Sequence, residues 1–262
     1  MMQMNRRQFF VLTGALGWAG LARAQSAGAF SFAAVNDLHL TDEASTAALG
    51  KAVDAINARE DVAFTAVLGD VSSSALPTEL ALVKSALDRL RKPYYAVPGN
   101  HDRAPKRKGH VEDLFEKTFG PANWVRDHGD WTLIGIDSCT GTASEVTLSV
   151  GRLLWLKQHL EKIPKTRPIA LFLHHPLNPH AVAYRIKNAE DVLALFAQHN
   201  LKLSASGHFH GNQVEEQNGI LYTTTACCTS TRGNHDGTTA KGYRLFHCRD
   251  GQVTTEFVEV AF

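Results

Sequence analysis

The chain has 262 residues, 44% of them apolar and 20% charged, with 27 basic and 26 acidic side chains and a formal net charge of +1. So even a balance, with no basic stripe, excludes nucleic acid as a bulk electrostatic partner. The length suits one domain with a sizeable core, and no internal repeat, low-complexity tract or linker divides it.

The first element reads as an address. Asn5-Arg6-Arg7-Gln8-Phe9-Phe10 sets a twin arginine before an apolar run from Phe10 to Leu21, and Ala22-Arg23-Ala24 offers the small residues a signal peptidase reads. The run is shorter than the roughly 20 apolar residues of a membrane span. The expectation is a twin-arginine signal peptide over residues 1–24, cleaved near Ala24, and one domain over residues 25–262 with no transmembrane segment. Twin-arginine export carries folded proteins, which suits an enzyme loaded with metal in the cytoplasm and then released to the periplasm or beyond. Removing residues 1–24 takes away Arg6, Arg7 and Arg23 and no acid, so 24 basic residues remain against 26 acidic, a net −2.

Phe30–Asn36, Ala63–Leu68, Tyr94–Val97 and Ile169–Leu173 are short apolar runs without polar alternation, the pattern of strands covered on both faces. Between and after them the spacing predicts helices over Ala44–Arg59, Pro77–Arg91, Val111–Phe119, Arg152–Lys162 and Ala189–His199. Pro77 fits a first helical turn, where its missing N–H costs nothing. Past residue 201 the rhythm becomes Leu201–Ser206, Gln213–Glu216, Gly219–Thr225, Gly242–Cys248 and Gln252–Val260, with Asn218-Gly219 and Asp250-Gly251 as hairpin turns. Alternating β-α units followed by a β-meander imply two packed sheets flanked by helices. Cys139, Cys227, Cys228 and Cys248 show no CxxC spacing, and buried free thiols with at most one disulfide are expected.

Five motifs fall just after predicted strands, where open α/β sheets place their ligands: Asp37-Leu38-His39, Gly69-Asp70, Gly99-Asn100-His101-Asp102, His174-His175-Pro176 and Gly207-His208-Phe209-His210. Asp37 and His39 stand two apart, which on extended backbone sends both side chains one way, and His208 and His210 repeat the spacing. A carboxylate such as Asp70 can bridge two cations. Asn100 adds a neutral oxygen, and His174 or His175 an imidazole. Mixed nitrogen and oxygen donors suit Zn, Fe or Mn rather than Ca. Two carboxylates against two divalent or trivalent ions leave a positive centre that attracts phosphate and ionises a bound water near neutral pH.

In order and spacing the five motifs resemble those of the calcineurin-like metallophosphoesterases, from Phe30 to the C-terminus. The resemblance implies a four-layer αββα sandwich with two mixed β-sheets and a dinuclear metal centre at the strand ends. It also implies one transition ion on Asp37, His39, His210 and Asp70, and the other on Asp70, Asn100, His174 and His208. His174 is preferred to His175 because the family's ligand precedes x-Pro. His101 becomes the histidine that binds phosphate and assists the leaving oxygen. Many members carry Asp, or in purple acid phosphatases Tyr, three residues after the bridging Asp, whereas this chain has Ser73. No tyrosinate-to-iron colour is therefore expected, and the carboxylate that orients His101 is missing unless Asp102 replaces it.

Weaker candidates are the second Gly233-Asn234-His235-Asp236 string with Arg232, and the cations Lys106, Arg107 and Lys108. His110, His180 and Tyr184 are rim candidates. His128, His159, His199 and His247 have no motif, and Trp124, Trp131 and Trp155 read as core. The function expected is metal-dependent hydrolysis of a small-molecule phosphodiester, with a metal-bridging hydroxide as nucleophile. The alternatives are a phosphomonoesterase on the same site, a non-catalytic metal- or phosphate-binding protein, and a mononuclear hydrolase of another ester.

Overall fold

The structure, a computed structural model, describes residues 28–103, 114–181 and 183–262. The signal peptide expected over residues 1–24, the cations Lys106 to Lys108 and His110 lie outside them. Strands β1 (Phe30–Val35), β2 (Val62–Leu68) and β3 (Tyr94–Val97) alternate with helices α1 (Thr46–Asn57) and α2 (Pro77–Leu87), and α3 (Leu114–Phe119) follows. Next come the hairpin β4 (Trp124–His128) and β5 (Trp131–Gly135), then α4 (Val150–Leu160), β6 (Pro168–Phe172) and α5 (Ala189–Leu195). The chain ends with β7 (Asn200–Ser206), β8 (Gln213–Gln217), β9 (Ile220–Thr224), β10 (Gly242–Arg249) and β11 (Gln252–Glu259). Among the described residues no helix is long and apolar enough to cross a membrane.

Two mixed sheets result, ordered β11-β10-β1-β2-β3 and β4-β5-β6-β7-β9-β8. Successive side chains on a strand point to opposite faces, and this sorts the core into three slabs. Phe32 and Ala34 of β1 join Phe64, Phe172 and Phe246 between the sheets, while Ala33 and Val35 face the helices with Leu49, Val53 and Leu80. On the outside of the second sheet, Ile169 and Leu171 pack with Leu156, Leu160 and Val192 from α4 and α5. Phe32 stacks on Phe64 and on Phe246, each at 4.7 Å, and meets Phe172 of the other sheet edge-on at 5.5 Å. Offset and edge-to-face pairs of this kind add about 0.5–1.5 kcal/mol each beyond area burial. The helix–sheet–sheet–helix sandwich matches the expected architecture.

Two expectations are corrected. The strands after residue 201 do not form one meander: β7 pairs in parallel with β9, β8 lies outside β9, and the chain then crosses to the first sheet, where β10 pairs with β1. Hairpin turns name neighbours but not the sheet they join. The β4–β5 hairpin was not anticipated as strands, because half-buried Val125 and exposed Arg126 and Asp127 give β4 the polar look of a loop. It is an edge strand, where polar side chains guard an unpaired ladder. The four cysteines are all free and buried, with no disulfide among them.

Candidate metal centre

Each of the five motifs begins where a strand stops, and the strand ends lie side by side. Past β1, the N–H of Asp37 donates to the Gly69 carbonyl (3.0 Å) and that of His39 to the Asp70 carbonyl (2.9 Å), so the first two motifs are zipped together. Their backbone is not extended. Asp37, His39, Asp70, His208 and His210 have φ of 52°, 43°, 50°, 67° and 49°. This corrects the expectation that an extended Asp-x-His aims both side chains one way: a left-handed residue at each donor position does the aiming. Asp and His are among the side chains that tolerate this region best, at about 1–2 kcal/mol each. Two glycines permit the closeness. A Cβ on Gly99 would sit 2.1 Å from Oδ1 of Asp70, and one on Gly207 would sit 2.9 Å from Oδ2 of Asp37.

Donor atoms of Asp37, His39, Asp70 and His210, all buried, lie within 4.8 Å of one another. Nε2 of His210 is 3.3 Å from Oδ1 of Asp37 and 3.2 Å from Nε2 of His39, which is in turn 3.6 Å from Oδ2 of Asp70. The same Oδ2 of Asp70 is 3.4 Å from Nε2 of His174. That nitrogen also lies 3.2 Å from Oδ1 of Asn100 and 3.0 Å from Nδ1 of His208. One carboxylate oxygen therefore belongs to two donor groups. His174, rather than His175, faces Asp70 and Asn100. His175, which the sequence reading set aside, forms a further group with His174 and His208. Its Nδ1 meets the Ser138 hydroxyl at 2.8 Å, and its buried Nε2 has no hydrogen-bond partner among the described residues.

Outer carbonyls set the tautomers. Nδ1 of His174 donates to Leu68 (2.9 Å), Nδ1 of His210 to Gly233 (3.1 Å) and Nε2 of His208 to Ser144 (2.8 Å). A carbonyl only accepts, so in each ring the outer nitrogen carries the hydrogen and the inward one faces the centre, as in ligating histidines. The electrostatics show instead where positive charge is favoured. Burial pushes the His210 imidazolium down, but the Asp37 carboxylate outweighs it and raises the pKa to about 11. Burial likewise opposes His174, and Asp70 raises it to about 9. Burial pushes the Asp37 and Asp70 carboxyls up, yet His210 and His174 pull them well below the usual range. The cluster draws positive charge to its middle, and its donor set fits transition ions.

His101 stands over the centre. Its N–H donates to Oδ1 of Asp70 (2.8 Å), its ring meets that of His39 edge-on at 4.8 Å, and its Nδ1 donates to the Ser73 carbonyl (2.8 Å). The backbone carbonyl of Ser73 thus orients this ring. Asp102 does not orient His101. Its carboxylate accepts the N–H groups of Val71 (3.2 Å), Ser72 (2.9 Å) and Gly99 (2.8 Å), tying the second and third motifs together.

The centre opens into a cavity of about 330 Å³ that includes His39, Asp70, Asn100 and His101 and is bordered by Ser144, Tyr184 and the loop Arg232–His235. Ser144 had no motif to find it by. The rim candidate His180 is instead exposed and paired with Glu215 at 2.7 Å. His128, His159, His199 and His247 lie away from this cavity, and Trp124 and Trp131 are core, with Trp155 half-buried against α4's slab.

A two-sheet sandwich with buried carboxylates and imidazoles converging at its strand ends defines a class: α/β proteins built around a metal centre. The match of the family "Calcineurin-like phosphoesterase" over residues 30–212 makes the assignment particular, and the chain belongs to that family. A probable glycerophosphodiester phosphodiesterase of Arcobacter nitrofigilis is 31% identical over 168 residues, a match spanning 60% of this chain and 60% of that relative. The 3′,5′-cyclic adenosine monophosphate phosphodiesterase of Escherichia coli is 27% identical over 206 residues, 74% of this chain and 73% of that one. The fold is shared with a purple acid phosphatase from yellow lupin (TM-score 0.69, 12% identity, 90% of this chain and 52% of that chain).

Proposed function

We propose that the chain is a metal-dependent phosphoesterase that hydrolyses a phosphodiester, with Asp37, His39, Asp70 and His210 holding one transition ion and Asp70, Asn100, His174 and His208 the other. The single observation that carries this reading is Oδ2 of Asp70, 3.6 Å from Nε2 of His39 and 3.4 Å from Nε2 of His174, shared by two buried donor groups. Fe, Mn and Zn all suit these donors. Two such ions, when bound, supply Lewis acidity and a water ionised near neutral pH. Two carboxylates leave such a centre positive, and Arg232, with no acidic partner among the described residues, adds a cation at its mouth; both favour an anionic ester. His101, anchored on the Ser73 carbonyl through Nδ1, has no hydrogen bond to its other ring nitrogen among the described residues, which leaves that nitrogen to meet a phosphoryl or leaving oxygen.

A diester is favoured over a monoester by the names of the similar proteins, which act on glycerophosphodiesters and cyclic AMP. The leader read in residues 1–24 assigns the enzyme to the periplasm or the exterior, which N-terminal sequencing of the exported protein would check. The function is tested by hydrolysis of bis(p-nitrophenyl) phosphate against p-nitrophenyl phosphate by the metal-loaded chain. Faster diester cleavage is expected. Preference for the monoester moves the protein to a phosphatase, and turnover of neither contradicts the reading.

A further inference from the structure

The pocket wall carries two rings that the metal centre does not use. We propose that Tyr184 and His235 are the specificity surface, and that one alcohol of the diester bears a planar ring, as a nucleoside does. The inference rests on the phosphodiesterase reading above.

Tyr184 has φ of 62°. A bulky aromatic residue is a conformational outlier there, and such strain persists only where the surroundings impose it, most often at functional sites. Nine described non-glycine residues have positive φ. Five are the proposed ligands Asp37, His39, Asp70, His208 and His210. Asn218 and Asp250 open hairpin turns, and Ala75 precedes α2. Tyr184 is the remaining one, and it lines the pocket. Its ring meets that of His208 edge-on at 4.8 Å, and its hydroxyl has no partner among the described residues. The strained backbone therefore holds an aromatic face against the centre and leaves a polar tip free.

His235 is held from the other side. Its N–H donates to the His210 carbonyl (3.0 Å), and its ring lies over the His210 ring at 4.7 Å and 18°. One face is thus covered by a proposed ligand, the Phe209 ring stands edge-on at 6.2 Å, and the residue is otherwise exposed at the cavity rim. The Tyr184 and His235 rings stand 6.1 Å apart at 52°. That gap is too narrow to sandwich a third ring between two stacking distances of about 3.5 Å, so the pair makes a corner. A planar group stacks on one ring and meets the other with its edge. A cavity of about 330 Å³ is near the small end for ligands, room for one phosphoryl group and one ring-bearing group.

The test compares 3′,5′-cyclic AMP, which carries a ring, with glycerophosphoethanolamine, which has none, as substrates of the metal-loaded full chain. Tyr184→Ala and His235→Ala should each raise KM for the cyclic nucleotide by about 5- to 50-fold, the scale of one lost base stack. Their effect on the ring-free diester should stay within about twofold, and Tyr184→Phe should retain the nucleotide KM, since stacking needs the ring alone. Binding of 5′-AMP by calorimetry should weaken in parallel, and metal content is measured for each variant. Equal losses on both substrates would overturn the inference and make the two rings supports of His208 and His210. If the wild-type chain cleaves neither diester, the phosphodiesterase reading fails. The calorimetry then decides the ring surface separately: unchanged 5′-AMP affinity in both variants overturns it.

Discussion

The chain contains Gly-Asn-His-Asp twice, and the two copies share nothing but their letters. Residues 99–102 follow strand β3, whose last two residues are buried, and turn into a short 3-10 helix with Asn100 and Asp102 buried. Its polar groups face or brace the centre: the Asn100 oxygen faces His174, the His101 N–H holds Asp70, and Asp102 ties the second motif to the third. Residues 233–236 follow no strand and lie at the rim. Asn234 turns away from the centre, its oxygen accepting the Cys227 N–H and Lys241 Nζ, both at 3.2 Å. Asp236 accepts the N–H groups of Asn212 and Thr238 at 2.9 Å, in solvent. What the second copy gives the site is a backbone carbonyl, from Gly233 to His210, and the ring of His235. A tetrapeptide has chemistry only where a strand end delivers it.

That contrast can be broken by paired substitutions. Asn100→Ala should cost turnover more than the roughly 10- to 100-fold typical of outer partners of a metal, because it removes a proposed ligand. Asn234→Ala should stay inside that range. Equal losses in a diesterase assay would erase the distinction between the copies. Next in size is stability. Asp102→Ala leaves three buried N–H groups without an acceptor, at about 1–3 kcal/mol each if none finds water. A fall of at least about 4 °C in Tm is expected by calorimetry, while Asp236→Ala, at the surface, should move it by no more than about 2 °C.

Smaller effects sharpen the picture. Arg232→Ala should raise KM for an anionic diester by about 3- to 10-fold at low salt and by less at 0.5 M salt, since exposed charges are screened. A salt-independent change would argue for a packing role instead. Smallest is the response to thiol reagents. Burial raises the Cys139 thiol well above its ordinary pKa and takes Cys228 and Cys248 to about 12. The thiolate is the reactive form, so at pH 8 these three should resist iodoacetamide in the native protein and react on unfolding, as mass spectrometry would show. Labelling of the native thiols would contradict that packing.

Much of this was legible in the sequence, and the part that was not has a common cause. The convergence of the five motifs could be read because each places polar side chains at a strand end, and apolar runs such as Phe30–Val35 reveal strands buried on both faces. Sheet membership was not legible: nothing between β9 and β10 announces that the chain changes sheets. The role of Ser73 was hidden because a backbone carbonyl has no signature, and the same holds for Leu68, Ser144 and Gly233 behind the histidines. The left-handed turns at Asp37 and His210 were likewise invisible, since an Asp or His is written the same way at either sign of φ. Sequence names the donors. Structure supplies the carbonyls and dihedrals that aim them.

Asp70 is proposed to join two metal sites. Metal content per chain, measured by mass spectrometry on the reloaded wild type and on Asp70→Ala, tests it most directly. Two transition ions per wild-type chain are expected, and at most one, with turnover lost, in the variant. One ion in the wild type, or an unchanged count in Asp70→Ala, would contradict it.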